Sequence, residues 1–518
     1  MRLSLCLIPL LLAGCATVPG QGTRTAAPPA LPENATAEAR TEAALARINA
    51  LNPALRAVIA VDPTALTQAR QLDRRGVGTS LLRGMPVLIK DNIETAGPLP
   101  TTAGSLALAG NVTGRDAPLV ARLRANGGVI VGKANLSEWA NIRDDDSISG
   151  WSAVGGQTRN PHALNRNTCG SSSGSAAAVA AGLVPAAIGT ETDGSVTCPA
   201  ATTGIVGFKP TVGLVSRTHV VPISHSQDTP GPFARTVREA AMVMTAMAGG
   251  DPADPATAEA DQRKVDYAAA LSSDALRGKR IGVMRYASGF GTDPALDEAL
   301  AVLRAQGATL VDIKDFPGRA EIGKNEFAVL LAELKADMNA YLATTPPQVR
   351  TRTLADLIAF NNANAAVEMP LFDQDLFEQA QATKGLDDPE YKKARETSLR
   401  MAGKEGIDKI LKDNNLVALV GPTRGAAWLI DAVHTDVSTG SGGGSPAAVA
   451  GYPHLTVPMG HIRGLPIGLS FIGPQWSDAL ILSLGYAYEQ ASMKRVEPRF
   501  LPSIEESPEV APLLKPAR

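Results

Sequence analysis

The sequence predicts an α/β protein with one large domain, in which helices cover both faces of a central mixed β-sheet. Short apolar runs alternate along the chain with longer segments whose apolar residues recur at helical spacing. Such alternation is typical of layered α/β folds. With 44% hydrophobic and 19% charged residues, the chain can build a large core. The 518 residues show no internal repeat and no interdomain linker, which favours a single sheet over several domains.

Short apolar runs predict the strands, and longer periodic segments predict the helices. The predicted strands are residues 85–89, 129–131, 205–208, 280–284, 309–311, 416–420 and 467–472. The predicted helices are residues 37–51, 117–125, 176–181, 294–305, 326–342, 388–411 and 478–490. The Gly/Ser tract at residues 438–445 is too short for a domain linker and predicts a mobile loop near a site.

The first 14 residues are typical of a signal peptide. Two residues, Met1 and Arg2, give a positive start, and the apolar run at residues 3–13 is too short to span a bilayer. The run ends in Leu-Ala-Gly-Cys, which resembles a bacterial lipoprotein box with Cys15 as the lipidated residue. In the alternative interpretation, the signal is an ordinary secretory one and Cys15 is incidental.

The remaining chain divides into three parts. Residues 15–36 are rich in Pro, Ala, Thr and Gly and predict a flexible tether. Residues 37–505 form the predicted folded domain, and residues 506–518 a C-terminal tail. Because Ala16 rather than Asp follows the cysteine, we expect an exported protein held by lipid at the outer membrane, on its periplasmic side.

Composition also excludes several function classes. A net charge of −2, from 49 basic and 51 acidic residues, argues against a nucleic acid or an anionic membrane surface as partner. No Cys/His spacing is typical of a metal site, and the glycine run at residues 440–445 lacks the Lys-Ser/Thr of a phosphate loop. We therefore expect no cofactor and no nucleic-acid partner. We also expect a lipid anchor as the one membrane contact, and a monomer.

Two Ser/Gly elements carry the chemical signal. Residues 169–175 read Cys-Gly-Ser-Ser-Ser-Gly-Ser and lead into a helix of small residues. Residues 189–195 read Gly-Thr-Glu-Thr-Asp-Gly-Ser. Successive small residues let backbone N–H groups converge on one point, which is the arrangement that stabilises an oxyanion.

Together these elements resemble the amidase signature, and residues 84–92, Gly-Met-Pro-Val-Leu-Ile-Lys-Asp-Asn, resemble the lysine motif of the same family. The resemblance extends from about residue 37 to about residue 490. Departures are Cys169 and Ser173, where Gly is usual, and Asp193, where the first Gly of Gly-Gly-Ser is usual. Further landmarks lie at residues 131–135, 158–161, 199–200, 204–211, 213–216, 228–235, 450–453 and 465–469.

The resemblance implies an amide hydrolase with a Ser–Ser–Lys catalytic group, acting on a small-molecule or peptide amide substrate. In this assignment Ser195 is the nucleophile, Ser171 the bridging serine and Lys90 the base. A lysine can accept a proton only when neutral, and burial without a partner carboxylate lowers its pKa. The neighbouring Asp91 would hold Lys90 charged if it faced it, so we expect its carboxylate to point elsewhere.

The resemblance further implies that backbone N–H groups around Ser195 hold the oxyanion. The residues concerned are Thr192, Asp193 and Gly194. Residues 189–199, 222–224 and 226–232 look closest to bacterial peptide amidases, which remove the C-terminal amide of peptides.

Alternatives remain open for both site and function. Residues 170–174 also fit the Gly-x-Ser-x-Gly nucleophile elbow, with Ser172 as nucleophile and a His as base. The candidate bases are His434, His454 and His461. Cys169 and Cys198 form either a disulfide or two buried thiols. The functional alternatives are a broad-specificity or fatty-acid amide hydrolase, the glutaminase subunit of a tRNA-dependent amidotransferase, and a non-catalytic envelope lipoprotein that binds peptides.

Overall fold

The computed structural model describes residues 34–76, 80–440 and 442–516. The predicted signal peptide, Cys15 and the predicted tether up to residue 33 lie outside these residues. In the described ranges, no helix is both long and apolar enough to cross a membrane.

The described strands form one mixed sheet. In chain order they are β1 (Val58–Val61), β2 (Pro86–Lys90), β3 (Val129–Ala134), β4 (Ala186–Glu191), β5 (Val206–Lys209), β6 (Thr229–Ala234), β7 (Arg280–Met284), β8 (Thr309–Ile313), β9 (Ala418–Pro422), β10 (His454–Ile462) and β11 (Leu465–Ile472). Their order across the sheet is β1-β3-β2-β4-β6-β5-β10-β11-β9-β7-β8. Strand β2 runs parallel to β3 and β4, whereas β4 is antiparallel to β6.

The helices of the described residues surround this sheet. They are α1 (Ala37–Leu55), α2 (Ala65–Arg75), α3 (Pro118–Ala125), α4 (Ser173–Ala180), α5 (Thr197–Thr203), α6 (Val237–Met247), α7 (Ala260–Arg263), α8 (Asp293–Ala305), α9 (Arg319–Ala343), α10 (Leu354–Ala363), α11 (Ala365–Glu368), α12 (Asp375–Ala382), α13 (Pro389–Ala402), α14 (Asp408–Asp413), α15 (Ser445–Ala450) and α16 (Asp478–Ser492).

Both faces of the sheet are covered, as the sequence predicts. Successive residues of a strand point to opposite faces. Accordingly Val87 and Ile89 pack into one hydrophobic cluster, and Leu88 packs into another. Helices α3, α6, α8 and α16 cover the first cluster, and α1, α2 and α4 cover the second. The predicted fold class is confirmed.

Helix α4 packs unusually close to the sheet because its residues are small. All eight residues from Ser173 to Ala180 are buried. A Cβ at Gly174 would lie 2.3 Å from the Ala57 carbonyl oxygen and 2.5 Å from that of Asn135. Glycine is therefore required there, and the close approach places the preceding loop against the sheet.

A helical layer lies over one end of the sheet. Helices α9, α10 and α12 share a third hydrophobic cluster, which includes Leu334, Leu357 and Phe377. Val221 and Ile223, in the segment between β5 and β6, pack into the same cluster. This layer brings α9 toward the carboxyl ends of β2 and β4.

Some boundaries differ from the sequence-based expectation. The single helix expected at residues 388–411 is interrupted by a wide helical turn at Gly403–Ile407. A Cβ at Gly406 would lie 2.4 Å from the Phe316 ring, so the interruption accommodates a close contact. The expected loop at 438–445 ends in α15, which Ser445 begins. In the expected tail, Val510 is buried in a cluster with Ala163.

Candidate active site

The sheet brings the lysine motif and the second Ser/Gly element together. Lys90 ends β2, and Thr190 and Glu191 end β4. The two strands are parallel neighbours, with Ile89 opposite Ile188. Because the carboxyl ends of parallel neighbours meet at one sheet edge, the side chain of Lys90 lies beside the loop that follows β4.

Lys90 is fully buried among hydroxyl groups. Its Nζ lies 2.7 Å from Ser171 Oγ and 2.9 Å from Thr190 Oγ1. Burial lowers the pKa of Lys90 to about 7, although the negative charges of Asp228 and Glu191 oppose this change. No carboxylate of the described residues forms an ion pair with it. Lys90 is therefore close to half neutral at neutral pH.

Thr190 and Asn92 orient the lysine. The Thr190 hydroxyl and carbonyl oxygens lie 2.9 Å and 3.4 Å from Lys90 Nζ. Asn92 Nδ2 also donates to Thr190 Oγ1, at 3.0 Å. A neutral amine has two N–H groups and one lone pair, so donation to the two Thr190 oxygens directs the lone pair toward Ser171.

Asp91 points away from Lys90, as we expected. Its carboxylate pairs with Lys133 at 3.2 Å and accepts hydrogen bonds from the Thr102 N–H and hydroxyl. Both Asp91 and Lys133 are buried. The neighbouring acidic residue thus compensates a different lysine and leaves Lys90 unpaired.

The loop before α4 is fixed by its own hydroxyl groups. The Ser172 hydroxyl donates to the Thr190 carbonyl at 3.0 Å, and Ser173 donates to the Cys169 carbonyl at 2.7 Å. The peptide bond between Gly170 and Ser171 is cis. Ser172 and Ser173 therefore hold the loop in place, while Ser171 faces Lys90.

A disulfide joins Cys169 to Cys198, which settles the choice between a bridge and two thiols. The two Cα atoms are 6.0 Å apart, and Trp428 packs against the bridge. The bridge connects the loop that carries Ser171 to α5, the helix that follows Ser195.

Ser195 lies between β4 and α5 and is 8% exposed. Its carbonyl oxygen accepts a hydrogen bond from the Ser172 N–H at 3.2 Å, so its loop adjoins that of Ser171. Its hydroxyl group makes no hydrogen bond with any described residue. The structure thus places Ser171 and Lys90 in direct contact and Ser195 on the adjoining loop.

The backbone N–H groups of residues 192–195 have no partner among the described residues. They donate to no acceptor in the described part of the chain. Gly194 has a positive φ of 82°, and a Cβ at this position would meet nothing within 4 Å. Unpaired N–H groups beside open space are what an oxyanion site requires.

Two carboxylates hold this loop from either side. Glu191 Oε2 accepts hydrogen bonds from the N–H groups of Val196 and Thr197, at 2.7 Å and 2.9 Å. Asp228 accepts a hydrogen bond from the Thr192 hydroxyl at 2.6 Å. Burial raises the pKa of Asp228 to about 6, despite the hydrogen bonds that it accepts.

The nucleophile-elbow alternative lacks its base. Ser172 contacts no histidine among the described residues, and the preceding residues 160–168 contain no strand. His454 is buried against Ser470, with Nε2 2.6 Å from the hydroxyl oxygen. His434 and His461 are exposed.

One group of described residues has the composition of a metal site. Ligand atoms of His225, Glu333 and Asp337 lie within 4.8 Å of one another. However, His225 Nδ1 is 2.9 Å from Asp337, and Glu333 accepts hydrogen bonds from the hydroxyls of Ser224, Ser226 and Tyr391. These hydrogen bonds explain why the three side chains lie close together. They connect the segment before β6 to α9.

Sequence reasoning missed several residues around the site. Thr190 and Glu191 stand within the second Ser/Gly element, so their position was visible although their contacts were not. Gln227 directly precedes the landmark that begins at Asp228, so its position was also visible although its contacts were not. Glu326 gave no local signal, because it reaches the site from α9, which is distant in the chain.

Comparison with known proteins agrees with this architecture. The Amidase family model matches residues 39–482. A probable amidase of Arabidopsis thaliana is 40% identical over 480 residues, covering 90% of this chain and 89% of that protein. A glutamyl-tRNA(Gln) amidotransferase subunit of Chloroflexus aggregans is 35% identical over 493 residues, covering 88% of this chain and 93% of that protein.

Among solved structures, the native peptide amidase from Stenotrophomonas maltophilia superposes with a TM-score of 0.86. It is 51% identical and covers 90% of this chain and 96% of that chain. Family match, sequence identity and fold agree over nearly the whole described domain. This chain is therefore an amidase and belongs to the amidase signature family.

Proposed function

We propose that this amidase removes the C-terminal carboxamide of peptides, with Ser195, Ser171 and Lys90 as its catalytic group. The observation that carries the proposal is the buried Lys90, which forms no ion pair with a described residue and whose Nζ is 2.7 Å from Ser171 Oγ. Ser171 in turn lies on the loop that adjoins Ser195.

The first step is attack on the amide carbonyl. Neutral Lys90 accepts the proton of the Ser171 hydroxyl, and Ser171 accepts the proton of Ser195, whose oxygen then bonds to the carbonyl carbon. The carbonyl oxygen becomes an oxyanion, which the free N–H groups of residues 192–195 stabilise. Removal of one such donor typically costs about 10²–10³ in rate.

The second step releases ammonia. The tetrahedral intermediate collapses, the C–N bond breaks, and Ser171 returns a proton to the departing nitrogen while Lys90 replenishes Ser171. The product is an acyl-enzyme on Ser195. Water then adds to the ester carbonyl, with the same relay accepting its proton, and frees the peptide carboxylate and Ser195.

The peptide amide is the substrate class we favour. A solved structure that is 51% identical is that of a peptide amidase, and the shared architecture covers 90% of this chain. The amidotransferase interpretation needs partner subunits and tRNA, and the net charge of −2 does not favour tRNA binding. A broad-specificity or fatty-acid amide hydrolase would use the same catalytic group with a different acyl pocket.

We also propose that the enzyme is exported and anchored by a lipid on Cys15. The disulfide between Cys169 and Cys198 supports export, because such bridges persist in oxidising compartments. Metabolic labelling with an alkyne fatty acid tests the anchor. Label that is lost in Cys15→Ala supports it, and an unlabelled wild-type protein would contradict it.

The decisive substrate test is ammonia release from an amidated dipeptide, a fatty amide and glutamine. We expect release from the dipeptide amide in the wild type and none in Ser195→Ala. A preference for the fatty amide would favour the broad-specificity alternative. A protein that releases no ammonia and fails to react with a serine-directed phosphonate would be a non-catalytic binding protein.

A further inference from the structure

An acidic side chain lies on the same loop as Ser195. Asp193 precedes the serine by two residues, and its side chain is exposed to solvent. Burial nevertheless raises the pKa of Asp193 to about 6, against the hydrogen bond from Ser445. Asp193 is thus accessible to a ligand from solvent although protein atoms surround it.

A second carboxylate reaches the same loop from α9. Glu326 is 7% exposed, and its Oε1 accepts a hydrogen bond from Gln227 Nε2 at 2.8 Å. The same amide nitrogen lies 3.4 Å from the Thr192 carbonyl oxygen. The Gln227 amide group therefore bridges Glu326 and the loop that carries Asp193. The other oxygen, Oε2, has no hydrogen-bond partner among the described residues.

Neither carboxylate has a cationic partner. No Lys, Arg or His of the described residues lies within 4.0 Å of Asp193 or Glu326. Arg424 and the buried Lys209 act on Asp193 from a longer distance, and the Arg424 guanidinium group donates to the Ser438 hydroxyl. Burial and repulsion from Asp193 raise the pKa of Glu326 to about 8.

Two neighbouring acids that lack a direct ion-pair partner repel each other when both are ionised, which is unfavourable in a folded protein. Local arrangements of this kind persist where function requires them. A cation that approached these two side chains would favour their ionised forms and would bind the free Oε2 of Glu326. The position beside the nucleophile indicates that this cation belongs to the substrate.

We propose, on the basis of the proposed function, that Asp193 and Glu326 bind a primary ammonium group on the acyl side of the substrate. The Cα atoms of residues 193 and 195 are at most about 7 Å apart. The α-ammonium group of a dipeptide amide lies about 7 Å from the scissile carbonyl carbon when extended. The α-ammonium of a short peptide therefore fits, as does a lysine side chain at the penultimate position.

The test compares free and acetylated peptide amides. We expect kcat/KM for Gly-Phe-NH2 to exceed that for acetyl-Gly-Phe-NH2 by about 10-fold or more, mainly through KM. Glu326→Gln should reduce this ratio toward one. The matched control is Glu321→Gln, which removes an exposed acid from the same helix and should keep the ratio. Acetyl-Lys-Phe-NH2 distinguishes the two ammonium sources, because only a side-chain site would accept it as readily as the free peptide.

Calorimetry of peptide-amide binding to the Ser195→Ala variant supplies a readout that does not depend on turnover. Tighter binding of the free peptide amide than of its acetylated form would support the subsite. Equal binding in this variant, or a wild-type ratio near one, would overturn it. Absence of ammonia release from every peptide amide would instead refute the proposed function, whatever the binding result.

Discussion

Replacement of Lys90 by Met should abolish catalysis and yet stabilise the fold. Lys90 is fully buried, and burial lowers its pKa from the ordinary 10.5 to about 7. In the unfolded chain the same lysine binds its proton up to pH 10.5. Between pH 7 and pH 10.5 the unfolded chain therefore binds more protons than the folded protein. This difference in proton binding lowers the stability of the folded state.

The pKa values set the size of this effect. Each unit between 10.5 and about 7 corresponds to about 1.4 kcal/mol, so burial of Lys90 costs about 4–5 kcal/mol at pH 7 and below. The cost declines as pH rises from 7 toward 10.5, and at pH 9 about 2 kcal/mol remains. Loss of the contacts with Ser171 and Thr190 offsets part of the gain, equally at both pH values.

Urea unfolding of the wild type and Lys90→Met at pH 7 and pH 9 measures this difference. We expect the variant to gain about 2 kcal/mol less at pH 9 than at pH 7, relative to the wild type. Lys133→Met is the matched control, because it leaves the buried Asp91 unpaired and should destabilise the fold by about 3–5 kcal/mol. A Lys90→Met effect that is the same at both pH values would refute the neutral lysine.

Three further predictions concern the pKa of Lys90, the hydroxyl of Thr190 and the disulfide. The proposed relay requires a neutral Lys90, whose pKa is about 7, so kcat/KM should rise about tenfold between pH 6 and pH 8, and a flat profile would contradict this. Thr190→Val removes the hydroxyl 2.9 Å from Lys90 Nζ. The pH at which kcat/KM rises should therefore change, and activity should fall. Thr190→Ser, which keeps a hydroxyl, should restore both. Reduction of the disulfide, or Cys169→Ser with Cys198→Ser, should lower the free energy of unfolding by about 3–4 kcal/mol for a separation of 29 residues. An unchanged urea midpoint would show that the bridge contributes no stability.

The fold class was predictable because apolar periodicity reports burial directly. The predicted strand at 280–284 matches β7, and the predicted helix at 478–490 lies within α16. Strands β4 and β6 were missed for a physical reason. Residues 186–191 are mostly small, and residues 229–234 contain two prolines, so neither has the residue types that strands favour.

Parts of the candidate site that are local in sequence could be recognised from motifs. Lys90 and Ser171 stand in short motifs, and the structure brings their side chains into contact. Contacts that depend on tertiary packing could not be derived. The position of Glu326 follows from the packing of α9 over the loops, and the pairing of Asp91 with Lys133 follows from the alignment of β2 with β3.

The most direct test of the proposed catalytic group is to identify the residue that a serine-directed fluorophosphonate labels. Ser195 should carry the label in the wild type, as shown by mass spectrometry of the digested protein. Labelling should become much slower in Ser171→Ala and in Lys90→Met, because both variants interrupt proton removal from Ser195. Label on Ser171 or Ser172, or an unchanged rate in Lys90→Met, would contradict the proposed relay.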